Sequence, residues 1–183
     1  MDLVGTLVRL RGPRPGDAEA LVAIRSDPET ARFATSPYFS PVRVDHVRES
    51  LRRRSGDDVR WIVERRRDRA TIGSGVLHRV DFRNRHCWFA IELVASLWSD
   101  DHSVEAIRLS TRFAFRQMGL AKVYVRAVEG DEAALRGLRA AGYEVEAELK
   151  RHRMLGHRLV RELWLAAYCE NPLYDGPTPA AGP

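Results

Sequence analysis

The stretch Leu97–Met118 most constrains the fold, because a short polar loop there leads into the clearest amphipathic helix of the chain. Apolar or small residues recur at steps of three or four, which places them on one helical face: Val104, Ile107, Thr111, Ala114, Phe115 and Met118. Ser99, Asp100, Asp101 and Ser103 precede that face and suit an N-cap and first turn. The free amides of such a terminus favour an anion, yet this loop carries two carboxylates and no glycine.

Composition predicts an ordinary globular chain. Its 183 residues suggest one domain over residues 1–170, followed by a flexible Pro- and Gly-rich tail over 171–183. No apolar run approaches the roughly 20 residues that span a bilayer, and the N-terminus lacks the apolar core of a signal peptide, so we expect a cytoplasmic protein without a membrane partner. Scattered histidines and cysteines predict no metal site.

The net charge of +5 is carried almost wholly by arginine, since Lys122 and Lys150 are the only lysines. With 25 acidic residues interspersed, we expect no nucleic-acid partner. The dense arginine runs at 52–54 and 65–67 indicate either a solvated face or a surface for an acidic protein partner.

Periodicity predicts a mixed α/β (α+β) fold with a mostly antiparallel central sheet and helices on both faces. The predicted order is a strand at 6–11, helices beginning near Asp17 and Pro41, strands at 59–64, 70–80 and 86–95, the helix described above, a strand at 121–128, a helix at 131–141 and strands at 144–153 and 157–168. An irregular loop is expected over 31–41. The strand, helix, strand unit at the centre should contain one parallel pair, because a helical crossover returns the chain in the same direction.

In this order the sequence resembles the GNAT superfamily of N-acetyltransferases, in particular the ribosomal-protein-alanine acetyltransferase branch. The motifs that carry the resemblance are LVRLRGPRPGDAEAL, IGSGVLHRVDFRNRH, Trp98 through Glu105-Ala106, Phe113-Ala114-Phe115 followed by Gly119-Leu120, and Ala141-Gly142-Tyr143. They span nearly the whole chain up to Tyr168. The resemblance implies a GNAT fold and acyl transfer from a pantetheine thioester to an amine.

The family loop reads approximately WGxGxxxEA, and its amides bind the pyrophosphate of acetyl-CoA. Here Ser99 and Asp101 occupy the two glycine positions. Two carboxylates beside a pyrophosphate would oppose its binding by one to a few kcal/mol, on the order expected at several Å in a half-exposed site. The cofactor-binding residues that the resemblance implies are Leu93, Val94, Ser99, Asp100, Asp101, His102, Ser103 and Asp131.

The family often places a glutamate base in the preceding strand, and counting back from Trp98 puts Trp88 at that position. Glu92 lies four residues on and shares the strand face of Trp88, so it is a candidate base; pairing with an arginine is the equal alternative. His102 is the candidate proton donor to the leaving thiolate. His78 and His86 are further acid or base candidates.

The resemblance implies that Phe33, Tyr38 and Trp88 bind the acceptor amine.

Three functions follow. The first is acyl transfer from a thioester held on an acidic acyl or peptidyl carrier protein, which has no adenosine pyrophosphate and would not need the glycines. The second is conventional acetyl-CoA-dependent N-acetylation with a weakened loop. The third is a non-catalytic GNAT-fold binding protein. The amine remains open between a peptide N-terminus and a small molecule, and a homodimer is common for the fold.

Overall fold

The structure is a computed structural model that describes residues 1–33, 42–52, 56–98 and 100–175. Its strands are β1 (Leu3–Val4), β2 (Val8–Arg11), β3 (Val59–Arg65), β4 (Thr71–Asp81), β5 (His86–Leu93), β6 (Lys122–Val128), β7 (Glu144–Leu155) and β8 (Arg158–Tyr168). Its helices are α1 (Asp17–Ser26), α2 (Pro28–Arg32), α3 (Val44–Arg52), α4 (Asp101–Arg116) and α5 (Glu132–Ala140). Within the described ranges, no helix is long and apolar enough to cross a membrane.

The strands form one sheet in the order β1-β2-β3-β4-β5-β6-β8-β7. Every neighbouring pair is antiparallel except β5 and β6, which are parallel. The predicted fold class is therefore confirmed, including the single parallel pair on either side of the central helix. Short α2 was not predicted; Asp27 caps it by accepting from the Thr30 amide at 2.8 Å, and Pro28 suits its first position.

Alternation along β3 shows that helices cover both sheet faces. Trp61 and Val63 belong to the apolar cluster beneath α4, whereas Ile62 between them packs with residues of α1 and α3. Successive strand side chains point to opposite faces, so α4 lies on one side of the sheet and α1 and α3 on the other. Below, the first is called the α4 face and the second the α1 face.

Glu105, part of the motif that resembles the family loop, fixes the N-terminal strands to α4. Its carboxylate accepts the backbone amides of Thr6, Leu7 and Val8 at 2.6 to 2.8 Å. A side chain at Gly5 would overlap this carboxylate. The glutamate of this motif therefore has a structural role here, satisfying amides of the turn between β1 and β2.

Residues 171–175, which the sequence analysis assigned to the start of a flexible tail, carry a buried aromatic side chain. Tyr174 is fully buried, its hydroxyl donates to the Ala141 carbonyl at 2.7 Å, and its ring meets Phe115 edge-on at 5.1 Å. Asn171 accepts from the Leu173 amide at 3.0 Å and so begins the turn that carries Tyr174 inward. The Pro- and Gly-rich composition of the segment indicated a flexible tail and gave no sign that Tyr174 packs into the core. Residues 176–183 lie outside the described residues.

Candidate active site

A cavity opens where β5 and β6 part. The two strands pair only at His86 with Lys122, Cys87 with Val123 and Trp88 with Tyr124. Beyond these pairs both strands continue, to Leu93 and Val128, without a register partner across the gap. Residues 88–93 and 125–128 line the resulting cavity, with the start of α5 at one side. The unpaired strand edges leave main-chain polar groups available to an extended ligand such as a pantetheine arm.

Glu92 projects into this cavity from the α1 face and is held by two partners. Arg25 of α1 donates to it from Nε at 2.8 Å to Oε2 and from Nη2 at 2.6 Å to Oε1. Ser74 on the neighbouring strand donates to Oε1 at 2.7 Å. Oε1 also lies 3.1 Å from Arg25 Nε, so three donors crowd that oxygen, while Oε2 keeps room for another. The arginine pairing foreseen as an alternative is present, and it leaves one oxygen able to meet an amine or a water.

Trp88 forms the inner end of the cavity within an aromatic cluster. Its ring stacks on Tyr124 at 5.1 Å, and Trp164 meets it edge-on at 4.8 Å. The guanidinium of Arg126 lies over the same indole, 5.4 Å from its centroid. These contacts fix the indole plane, because aromatic pairs and cation–π contacts prefer defined geometries. Trp88 is therefore a rigid wall at the point where the strands part.

His78 pairs in register with Trp88 across β4 and β5 and lines the same cavity. Burial lowers the pKa of its imidazole below the usual 6.5, with Asp58 opposing and nearby arginines adding to the shift. The ring is consequently neutral at pH 7 and retains a nitrogen that can accept a proton.

The N-terminus of α4 is capped by its own carboxylate. Asp100 Oδ1 accepts the His102 amide at 3.2 Å and the His102 ring Nδ1 at 3.0 Å. The ring hydrogen bond, followed by the amide, lowers the pKa of Asp100 despite slight desolvation, so this carboxylate is charged at neutral pH. The Ser103 amide donates to the Asp100 carbonyl at 3.1 Å. Amides that would face a phosphate in the family loop are thus partly engaged within the chain.

Asp131 lines the cavity from the other side and caps α5, accepting the Ala134 amide at 3.1 Å. Burial raises the pKa of its carboxyl above the usual 3.8, and the hydrogen bond from Ala134 only partly opposes this. A half-buried carboxylate at this position disfavours a second negative charge nearby.

The structure brings together six of the residues that the sequence analysis predicted for the site, because all of them line the cavity: Glu92, Leu93, Asp131, Phe33, Trp88 and His78. Val94, Asp100, Asp101, His102 and Ser103 do not line it. The ring of His102 lies against the carboxylate of Asp100, within the N-terminal cap of α4, and not beside Glu92 in the cavity. Tyr38 and Ser99 lie outside the described residues.

Arg25, Arg126 and Gly137 are among the contributors to the site that the sequence analysis did not identify. The sequence did contain a signal for Arg126, because its charge alternates with the apolar residues Val125 and Ala127 in the strand. Gly137 of α5 lies so close to the loop before α4 that a Cβ would overlap the Trp98 carbonyl oxygen. Nothing local marks Arg25 or Gly137, because their partners lie far away in sequence.

Cys87 of β5 is not a candidate nucleophile. Cys87 is fully buried on the α4 face, and burial raises the pKa of its thiol to about 12, which leaves no reactive thiolate. No group of three or more His, Cys, Asp or Glu side chains in those parts could hold a metal ion.

Comparisons with known proteins agree with the geometry. The family model described as "Acetyltransferase (GNAT) domain" matches residues 8–144. An uncharacterized N-acetyltransferase of Bacillus subtilis, YoaA, is 22% identical over 144 residues, which is 74% of this chain and 78% of that protein.

Solved structures show the same fold. Spermidine N-acetyltransferase from Vibrio cholerae, in complex with CoA and spermine, superposes with a TM-score of 0.80 at 15% identity, covering 94% of this chain and 100% of its own. Ribosomal-protein-S5-alanine acetyltransferase from Vibrio fischeri gives 0.79 at 12% identity, with 93% and 98% covered. Identities this low establish shared architecture only.

Proposed function

The chain belongs to the GNAT acetyltransferase family and is an acyltransferase, and from that premise we propose that it moves an acyl group from a pantetheine thioester to a primary amine. The gap between β5 and β6 carries this proposal, since two unpaired strand edges face each other there. A pantetheine arm has two amide groups that such edges can hydrogen-bond. Family membership also favours an enzyme over the non-catalytic binding protein.

The acyl donor is the finer part of the proposal. The gap fits a pantetheine arm, whereas the α4 N-terminus fits a pyrophosphate poorly because Asp100 is charged and engages the His102 amide. Asp101 adds a second carboxylate in the first turn. We therefore propose a donor held on an acyl carrier protein, whose single phosphate need not enter this loop. The net charge of +5 favours an acidic partner of that kind.

Calorimetry decides between donors. Acetyl-CoA and an acetyl-phosphopantetheinyl carrier protein are titrated separately into the purified protein at low and at high salt. Binding of the carrier that weakens with salt, with little heat from acetyl-CoA, supports the carrier as donor. Tight binding of acetyl-CoA alone contradicts it and makes conventional acetyl-CoA-dependent N-acetylation the activity. If neither ligand gives binding heat, the proposal of a pantetheine donor is contradicted as a whole.

The variant Asp101→Gly tests the charge argument itself. Removing one carboxylate and restoring a glycine should tighten acetyl-CoA binding about 5-fold, on the order of 1 kcal/mol for one screened charge. Glu170→Gln is the matched control, because Glu170 is exposed and follows β8 beside the start of β6, at the sheet end away from the α4 N-terminus. Equal affinities in wild type, variant and control would refute repulsion as the cause of weak binding.

In the proposed reaction, the pantetheine thioester supplies the acyl carbon that the amine nitrogen attacks as the carbon–sulfur bond breaks. Glu92 accepts the proton of the amine through Oε2, directly or through one water. Main-chain amides at the strand gap stabilise the negative charge that develops on the acyl oxygen. Solvent returns a proton to the leaving thiolate, since His102 is turned toward Asp100.

Glu92→Gln tests this assignment. The amide preserves shape but cannot take a proton, so kcat should fall about 100-fold or more, within the usual range for a general base. His78→Gln serves as the comparison, because the neutral imidazole of His78 is a further proton acceptor that lines the cavity. If His78→Gln abolishes the acidic limb of the pH–rate profile, where the rate falls as the base is protonated, and Glu92→Gln leaves that limb intact, His78 is the base.

A further inference from the structure

Arg126 stands out among the charged residues of the cavity. Its guanidinium lies over the Trp88 ring, yet no carboxylate or carbonyl in the described part of the chain accepts a hydrogen bond from it. Arg25, the other arginine lining the cavity, is bound to Glu92. A guanidinium offers five N–H donors in one plane. Here it is half-buried, lies 5.4 Å from the centroid of the Trp88 ring and has no hydrogen-bond acceptor among the described residues.

The position of Arg126 separates it from the donor end of the cavity. In β6, Val123, Val125 and Ala127 are buried, whereas Arg126 is half-buried and alternates with them. The buried residues belong to the cluster beneath α4, so Arg126 projects from the α1 face. The N-terminus of α4, where a donor phosphate would approach in this family, lies on the opposite side of the sheet. The guanidinium therefore faces the α1 side of the cavity, away from the end where a donor phosphate would approach.

Neighbouring charges reinforce a positive field at this wall. Arg79, Arg126 and Arg60 all act on His78 in the direction of positive charge, and Asp58 is the carboxylate that opposes them. The other cavity carboxylates are accounted for: Glu92 is paired with Arg25, and Asp131 caps α5. A second positive group on the acceptor would be repelled by these arginines. An anionic group could instead accept hydrogen bonds from the guanidinium of Arg126.

We propose that the acceptor is an amine that also carries an anionic group, a carboxylate or a phosphate, which the guanidinium of Arg126 binds against Trp88. This inference rests on the proposed acyl transfer and names its substrate class. Arg126 acts as a specificity residue: it positions the acceptor by a charge-assisted, two-pronged hydrogen bond, and the amine end points toward Glu92.

Matched amines test the proposal. Wild-type protein is assayed, with whichever donor supports transfer, on β-alanine, its neutral isostere β-alaninamide, phosphoethanolamine, ethanolamine and 1,3-diaminopropane. We expect kcat/KM for β-alanine to exceed that for β-alaninamide by about 10-fold or more, and diaminopropane to be the poorest. Preference for phosphoethanolamine over β-alanine would assign the anion to a phosphate, and the reverse order to a carboxylate. Equal rates for β-alanine and β-alaninamide would overturn the proposal.

Variants give a second readout. Arg126→Gln should raise KM for the anionic amines about 10-fold with little change for β-alaninamide, and Arg126→Lys should recover part of the loss. Arg83→Gln is the control, an exposed arginine of the turn between β4 and β5 that lies outside the cavity. Circular dichroism establishes that each variant is folded. A uniform loss for charged and neutral amines alike would assign Arg126 a structural role and contradict the proposal.

The proposed function and this inference fail separately. If no amine of the panel is acylated with any pantetheine donor, the proposed acyl transfer to an amine is contradicted. Calorimetric titration of β-alanine and phosphoethanolamine into wild type and Arg126→Gln then decides the inference without turnover: binding lost in the variant supports an anion site, and no binding to wild type refutes it. If diaminopropane is the best acceptor, acyl transfer stands and the anion site is refuted.

Discussion

The carboxylate of Glu92 accepts both Nε and Nη2 of Arg25, which joins the first helix to the fifth strand across 67 positions of sequence. The pair is largely shielded, with side-chain exposures of 16% and 25%. It gives the cavity its wall on the α1 face and orients the oxygen that we assign to proton transfer. The same residue thus serves the fold and the proposed chemistry.

A double-mutant cycle measures that contact. Arg25→Met, Glu92→Gln and the double variant should give a coupling free energy of about 1–2 kcal/mol in urea unfolding, because a partly desolvated, forked pair is stronger than a surface one. The control cycle uses Arg48 and Glu19, an ion pair of similar length with exposures of 35% and 54%, for which we expect at most about 0.5 kcal/mol. Equal couplings in both cycles would show that burial adds nothing to the Arg25 pair.

Gly137→Ala should destabilise the protein, although alanine is normally the better helix former by about 1 kcal/mol. The added Cβ would overlap the Trp98 carbonyl oxygen and push α5 away from the loop before α4, which costs about 1–3 kcal/mol in a packed interior. Gly12→Ala is the control, since open space surrounds that Cβ position. Chemical denaturation compares the two, and a gain in stability for Gly137→Ala would disprove the close approach.

Asp131→Asn should stabilise the protein at neutral pH. The folded-state pKa of Asp131 is raised by burial, so the folded protein binds the proton more tightly than the unfolded chain does. Wild-type stability is therefore lost as pH rises from the usual value of 3.8 through the folded value, and asparagine keeps a cap acceptor without titrating. The difference in melting temperature between variant and wild type should grow across this window and then level off. A constant difference from pH 3 to 7 would contradict a raised pKa.

Tyr174→Phe should cost about 1–2 kcal/mol in the free energy of unfolding. The change leaves the Ala141 carbonyl without its buried donor while keeping the ring contact with Phe115. A chain ending after Asp175 should unfold like the full chain, whereas one ending after Glu170 should be markedly less stable because it loses the buried ring. If the two truncations melt at the same temperature, residues 171–175 do not anchor the domain.

Much of the architecture was predictable because its signals are local. Period-two and helical spacing located seven of the strands and four of the helices, since side-chain direction follows directly from backbone geometry. Asp100 and Asp131 were recognised at helix starts because capping involves neighbours within three residues. The fold class followed from the order of those elements, together with the family resemblance.

The site was only half predictable. Glu92 and Trp88 could be placed on one face by strand alternation, but whether Glu92 would meet an amine or an arginine depended on where α1 packs. His102 was predicted as the proton donor to the leaving thiolate, and in the structure its ring lies 3.0 Å from the carboxylate of Asp100, two residues away. Residue spacing alone does not indicate whether the His102 ring binds the capping carboxylate of Asp100 or points into the cavity.

The sequence by itself determined which segments are strands and helices, how they alternate and which family they resemble, because each follows from contacts between residues close in the chain. Tertiary structure alone decided that β5 and β6 part after Trp88, that Arg25 pairs with Glu92, and that Arg126 lies over Trp88 with no hydrogen-bond acceptor among the described residues. These outcomes depend on residues brought together from distant parts of the chain, and the free energy of such pairs resides in packing and desolvation that no local pattern encodes.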